Sequence, residues 1–184
     1  VEATSGNTGI SLAAIGANLG LPVRIIRPHN MSMERKLMIE RFGADIIEVA
    51  HSDFKAAIER RDEELIEGGN VWSPKQFENR LNIECHKNTT ALEILNQLPS
   101  STSFSAFVSG VGTGGTIMGV REAIIEKGLE THVCMVKPLE PAHLHDIQGI
   151  SDGADFLASP KLFDAMFPIS TRDAKARAAK FART

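Results

Sequence analysis

From Val23 to Ile169, short runs rich in β-branched residues alternate with amphipathic stretches of helical length. That alternation builds parallel sheets through βαβ crossovers and excludes most all-helical and antiparallel designs. A helix from about Thr8 to Leu19 is predicted to end at Gly20, with Pro22 beyond it preventing continuation, and Val23–Arg27 reads as a strand. Ser32 is placed to cap a helix running to Phe42, where Gly43 stops it, and Ala44–Val49 supplies the next strand. Asp53–Glu67 is predicted helical, Val71–Trp72 a brief strand, and Asn79–Leu98 one longer helix. Ala106–Ser109 is a strand, Thr116 to about Lys127 a helix, and His132–Val136 a strand. After an irregular stretch from Pro138 to Pro160 come a strand at Ala165–Ile169 and a helix opened by Ser170, with Asp173 three residues on. The fold class is therefore α/β, with open parallel twisted sheets flanked by helices.

Bulk properties narrow the functions. A formal net charge of -3 gives no positive field to attract a phosphate backbone or an anionic membrane surface, so nucleic acid and membrane are not expected partners. No apolar run approaches the roughly 20 residues that span a bilayer, so a cytoplasmic location is expected. Cys85 and Cys134 lack the spacing of a zinc or redox pair and read as buried thiols. His143, His145 and Asp146 lack the further ligands a metal needs, and the charged run Glu59–Glu67 reads as a solvated helix face. Cys85 and His86, adjacent on a helix, face different ways and make no nucleophile–base pair. The chain opens at Val1 inside a motif and stops at Thr184 in a helical run, so it is expected to be a portion of a longer protein, with exposed apolar sheet edges.

Two loops carry chemistry. Gly110-Val111-Gly112-Thr113-Gly114-Gly115-Thr116 sits between a predicted strand and a predicted helix, where backbone N–H groups and the positive end of the helix converge on an anion. Glycines let the backbone approach phosphate oxygens, and Thr113 and Thr116 add hydroxyls. The alternatives are a tight glycine turn and, through Gly110, Gly112 and Gly115, a dinucleotide-binding turn of an NADP-dependent oxidoreductase. In that case the acid expected about 20 residues on is replaced by Lys137. Thr4-Ser5-Gly6-Asn7-Thr8-Gly9 also opens a helix and is dense in small donors, which suits a carboxylate; an ordinary N-cap is its plainer reading.

These two segments, with Asn30-Met31-Ser32-Met33-Glu34-Arg35, Gln76-Phe77-Glu78-Asn79 and Ile147-Gln148-Gly149-Ile150, resemble in order the motifs of the fold-type-II pyridoxal-phosphate enzymes. Within that group the resemblance is to the cysteine synthase and cystathionine β-synthase family. It implies a two-domain, tryptophan synthase β-like fold, with a partial smaller domain at 1–75 containing a mobile subdomain at about 23–70, and a partial larger domain at 76–184. By position, Gly112, Thr113, Gly114, Gly115 and Thr116 would bind the phosphate of pyridoxal 5'-phosphate, Asn7 its 3'-oxygen, and Gly149 would pack beside it. Thr4, Ser5, Gly6, Thr8 and Gln76 would bind the substrate carboxylate.

The implied activity is β-replacement on O-acetylserine or a related β-substituted serine, with sulfide or another thiol adding to give cysteine. A cystathionine β-synthase-like condensation and a non-catalytic fragment or pseudoenzyme are the alternatives. The family's Schiff-base lysine lies upstream of the Thr4–Gly9 loop, and no lysine here matches it, so this chain alone is expected to be inactive. A homodimer and a contact with serine acetyltransferase are the partners that the resemblance implies.

Overall fold

The computed structural model describes residues 1–4, 6–30, 32–50, 54–99, 104–141, 144, 145, 147, 149, 150 and 156–183. The chain divides into two compact units, Val1–Lys75 and Gln76–Thr184, each carrying a three-stranded parallel sheet.

In the first unit the order is β1 (Glu2–Ala3), α1 (Asn7–Leu19), β2 (Arg24–Pro28), α2 (Met33–Arg41), β3 (Asp45–Val49) and α3 (Phe54–Glu67). The sheet runs β1-β2-β3, with Ala3 opposite Ile26 and Ile26 opposite Ile47. Ile25 and Ile26 are fully buried, and Ala13 of α1 and Ile39 of α2 close over the core with Ile25. Gly20 adopts φ 67° and ends α1 as an αL cap, its N–H and that of Leu21 returning to Ala17 and Gly16 carbonyls. Gly43 at φ 80° does the same service after α2. Ser32 is the N-cap of α2 but makes no side-chain cap bond, because its hydroxyl turns to the Glu34 carboxylate instead.

Two expectations fail in this unit. Val71–Trp72 forms no strand. Val71 folds back on Gly68, where a Cβ would come 2.3 Å from its Cγ2, and Trp72 stays exposed. The charged face of α3 is not wholly solvated either: Arg61 is fully buried against Glu2 of β1. Like Arg61, Arg27 in the central strand is a buried cation; burial pushes its pKa down, Glu48 opposes the shift, and its guanidinium donates to the Pro28 and Ser32 carbonyls.

The second unit runs α4 (Leu81–Asn88), α5 (Thr90–Gln97), β4 (Ala106–Gly110), α6 (Gly115–Glu126), β5 (His132–Pro138), a 3-10 turn (Pro160–Leu162), β6 (Ala165–Ile169) and α7 (Thr171–Phe181). Its sheet is β4-β5-β6, with Val108 opposite Cys134 and Cys134 opposite Ala165. Ile117, Val120 and Ile124 of α6 pack on Val133 and Met135, with Ile83 and Ala91 from the preceding helices.

The single helix expected over Asn79–Leu98 is two helices. Thr89 leaves helical geometry at φ -124°, ψ -78°, and its hydroxyl bonds the Cys85 carbonyl at 2.7 Å, the local competition that adjacent threonines invite. Ser170 caps α7 as expected, accepting from the Asp173 N–H at 3.1 Å. Cys134 is buried as expected, but Cys85 is exposed on α4. Val108, Met166 and Phe167 of the outer strands stand substantially exposed. No helix among the described residues is long and apolar enough to cross a membrane.

Candidate functional site

The first candidate loop is built by β1. Thr4 continues its pairing, donating its N–H to the Ile26 carbonyl at 2.9 Å, and is buried. The Thr4 hydroxyl accepts from the Gly6 N–H at 3.4 Å. Gly6 is the N-cap of α1, so the helix begins at Asn7 with no side-chain cap. The positive end of α1 is thereby left to whatever anion approaches it. Gly9 lets α1 press onto the sheet, since a Cβ there would stand 3.0 Å from Thr4 Cγ2 and 3.2 Å from Ile39 Cδ1. The Arg35 guanidinium from α2 lies beside Gly6, its Nη1 3.5 Å from the position a Cβ would take. Asn7 is exposed, Thr8 half-buried, and Ser5 lies outside the described residues.

Behind this loop sits an ion pair that sequence reasoning missed. Glu2 Oε1 lies 3.5 Å from Arg61 Nη1, and both side chains are wholly buried. Glu2 also accepts from the Ala3 N–H at 2.8 Å, and Arg61 reaches the partly exposed Asp62 at 2.9 Å. Only Ala3 separates Glu2 from Thr4, so the pair anchors the strand that delivers the loop.

The second candidate loop leaves β4 and opens α6. Gly114, the N-cap, has φ 94°, and a Cβ on it would lie 2.8 Å from the Ala158 backbone nitrogen. At Gly112 a Cβ would come 2.2 Å from the Gly149 carbonyl oxygen, and at Gly115 it would meet Asn82 Oδ1 at 2.0 Å. Backbone blocks a side chain at Gly112 and Gly114, whereas at Gly115 the obstacle is the Asn82 amide. The Thr113 hydroxyl accepts from the Gly115 N–H at 3.4 Å, and the Thr113 carbonyl accepts from the Leu157 N–H at 3.0 Å. Gly149 thus lies against the Gly112–Thr116 turn; Gln148 lies outside the described residues.

Helix α4 supplies the rest of the surround. Asn82 Nδ2 donates to Thr113 Oγ1 at 3.1 Å and to the Gln76 carbonyl at 3.0 Å. His86 Nε2 lies 3.2 Å from Thr116 Oγ1, and its Nδ1 2.9 Å from Thr90 Oγ1. These contacts need a close crossing of α4 and α6, which Gly115 and Gly119 permit; a Cβ at Gly119 would meet the Ile83 carbonyl and the Lys87 nitrogen, each at 2.7 Å. Arg80, the N-cap of α4, and Lys87 within it pair with Glu122 and Glu126 of α6, each at 2.9 Å, and flank the crossing.

Neither Asn82 nor His86 was singled out as a site residue from sequence, although Asn82/His86 and Gly115/Gly119 share the i, i+4 spacing of one helix face. Cys85 and His86 do point apart, one to solvent and the other to Thr116. His143 and Asp146 lie outside the described residues, and among those described no group of three or more acidic, His or Cys side chains could hold a metal.

Comparison with known proteins follows the same lines. The family described as "Pyridoxal-phosphate dependent enzyme" matches residues 1–183. Cysteine synthase B of Campylobacter jejuni is 41% identical over 195 residues, covering 100% of this chain and 64% of that protein. Among solved structures, a hydrogen sulfide-producing enzyme from Fusobacterium nucleatum superposes with a TM-score of 0.87 at 38% identity, covering 98% of this chain and 58% of its own. A cysteine synthase from Entamoeba histolytica superposes at 0.80 with 35% identity, covering 94% and 53%. The chain therefore spans between 53% and 64% of the length of these relatives.

Proposed function

The chain belongs to the pyridoxal-phosphate-dependent enzyme family, and from that membership we propose that the whole protein carries out β-replacement on O-acetylserine or a related β-substituted serine to give cysteine. The observation that carries the reading is the Gly112–Thr116 turn, which opens α6 at Gly114 with φ 94° and no side-chain cap and is packed against Gly149, Ala158 and Asn82. Such a turn suits the phosphate of pyridoxal 5'-phosphate, because its Thr113 and Thr116 hydroxyls and the uncapped start of α6 all favour an anionic acceptor.

In this reading Gly112, Thr113, Gly114, Gly115 and Thr116 hold the phosphate, Asn7 bonds the 3'-oxygen of the ring, and Gly149 packs beside it. Thr4, Ser5, Gly6, Thr8 and Gln76 hold the carboxylate of the amino acid, with the uncapped start of α1 adding its field. The bound cofactor supplies an electron sink for bond cleavage at the α and β carbons of the substrate. The chain's own residues orient the carboxylate and fix the plane in which those bonds break. Sulfide or a thiol is the second substrate, and a homodimer and a contact with serine acetyltransferase belong to the same proposal.

Binding and turnover test it separately. Pyridoxine 5'-phosphate, which has no aldehyde to react with surface lysines, is expected to bind this chain at least tenfold more tightly than pyridoxine, the margin of one charge-assisted hydrogen bond or about 1.4 kcal/mol. Equal affinity for the two would refute the phosphate assignment. The 184-residue chain is expected to form no cysteine from O-acetylserine and sulfide; turnover by it alone would refute the assignment of the reactive lysine to the upstream segment.

A further inference from the structure

A threonine hydroxyl donates one hydrogen bond and accepts up to two, so it serves an anion only when its proton is free to turn toward it. At Thr113 both accepting directions are used inside the chain. The Gly115 N–H approaches its oxygen at 3.4 Å and Asn82 Nδ2 at 3.1 Å. What remains to the Thr113 hydroxyl is donation.

The orientation of the Asn82 amide follows from its other contact. Nδ2 lies 3.0 Å from the Gln76 carbonyl, a group that only accepts, so the atom facing it carries hydrogens. Reversing the amide would set Oδ1 against that carbonyl, two acceptors face to face, so the Gln76 contact is what fixes Nδ2 as the donor toward Thr113. One N–H of Asn82 is thus committed to Gln76 and the other to Thr113. Its Oδ1 lies over Gly115, in the space a Cβ would need. Asn82 is half-buried on α4, so the amide is held by helix packing as well as by its bonds.

We propose that Asn82 is a positioning residue that presets the Thr113 hydroxyl as a donor to a phosphate group, and so makes the turn select phosphorylated over unphosphorylated ligands. The inference rests on the cofactor reading of the Gly112–Thr116 turn and adds to it the side chain that orients the turn before any ligand arrives. A phosphate dianion offers only acceptors, so a Thr113 hydroxyl left to rotate would lose part of its contribution to reorienting.

A double-mutant cycle with pyridoxine 5'-phosphate and pyridoxine as probes tests this, using equilibrium dialysis, with circular dichroism to show that each variant folds. Asn82→Leu keeps the size of the side chain and removes its donors. It is expected to weaken pyridoxine 5'-phosphate about tenfold and pyridoxine less than twofold, and Thr113→Val to do the same. Combining the two should add less than a further twofold loss, because both remove one interaction. If Asn82→Leu does not fold, Asn82→Ser takes its place in the cycle.

Equal weakening of both ligands, or losses that multiply in the double variant, would overturn the inference and leave Asn82 a packing residue. An unsubstituted chain that prefers the phosphorylated ligand, with Asn82→Leu unchanged, would overturn the inference alone. An unsubstituted chain that binds both ligands equally would sink the phosphate reading together with it.

Discussion

The turn ahead of α1 and the turn ahead of α6 share one local device and differ in what holds it. In each, a threonine hydroxyl accepts at 3.4 Å from the N–H of a glycine two residues on, Gly6 for Thr4 and Gly115 for Thr113, and each helix has a glycine N-cap with no side-chain cap. Behind the first turn stands charge: the buried pair Glu2–Arg61 anchors β1. Around the second stands shape, with Asn82, Gly149 and Ala158 occupying the volumes of missing side chains. Two helix-opening turns can therefore start from the same turn chemistry and be stiffened by opposite means. They should fail in different ways.

The largest effect is expected in the first unit. Arg61→Leu removes the charge partner of the buried Glu2 carboxylate, and the loss should be on the order of 3–5 kcal/mol, read as a shifted denaturation midpoint. Replacing Glu2 and Arg61 together by apolar residues should return much of that loss. A midpoint unchanged by Arg61→Leu would break the contrast, because charge would then not be what holds the first turn.

Next comes the second turn, where Gly119→Ala or Gly114→Ala should cost about 1–3 kcal/mol by overpacking. At Gly119 the obstacle is backbone on α4, and at Gly114 the φ of 94° adds strain to the contact with Ala158. Both substitutions should also weaken pyridoxine 5'-phosphate, whereas Arg61→Leu, in folded protein, should not.

Gly9→Ala should be milder. Its neighbours are the ends of side chains, Thr4 Cγ2 and Ile39 Cδ1, which can give by a few tenths of an ångström. Alanine's helix propensity returns up to about 1 kcal/mol, so a net change below about 1 kcal/mol is expected. A loss as large as that of Gly119→Ala would mean the first turn is held by shape after all.

The smallest effect concerns acid. The Val133 N–H donates to Asp164 at 2.7 Å and, with a lesser contribution from His132, holds its carboxyl below the ordinary aspartate range. The folded pKa is the lower one, so this contribution is fully present above the unfolded value near 3.9 and is lost as pH falls through the folded value. Thermal melts should show the advantage over Asp164→Ala steady from pH 7 to about 5 and shrinking below about 4.

Legibility from sequence followed range along the chain. Gly20 and Gly43 as helix stops, and Ser170 as a cap, depend on a handful of neighbours and were predictable from them. The break at Thr89 was missed although it too is local, because an apolar period continues from Ile83 through Ala91 and hides the threonine pair. Both glycine turns could be found, since each announces itself by composition between a strand and a helix. Asn82 and Glu2 could not, since one acts across 31 residues on Thr113 and the other across 59 on Arg61.

What the order of residues determined by itself is the α/β class, the two anion-ready helix starts and the family motifs, because hydrophobic period, glycine and proline act over a few bonds. Only the tertiary structure decided which polar side chains stand behind those turns. A lone Asn or Arg in a polar helix reads as solvated until a neighbouring helix with glycines at the crossing, or a strand bearing the opposite charge, is folded against it.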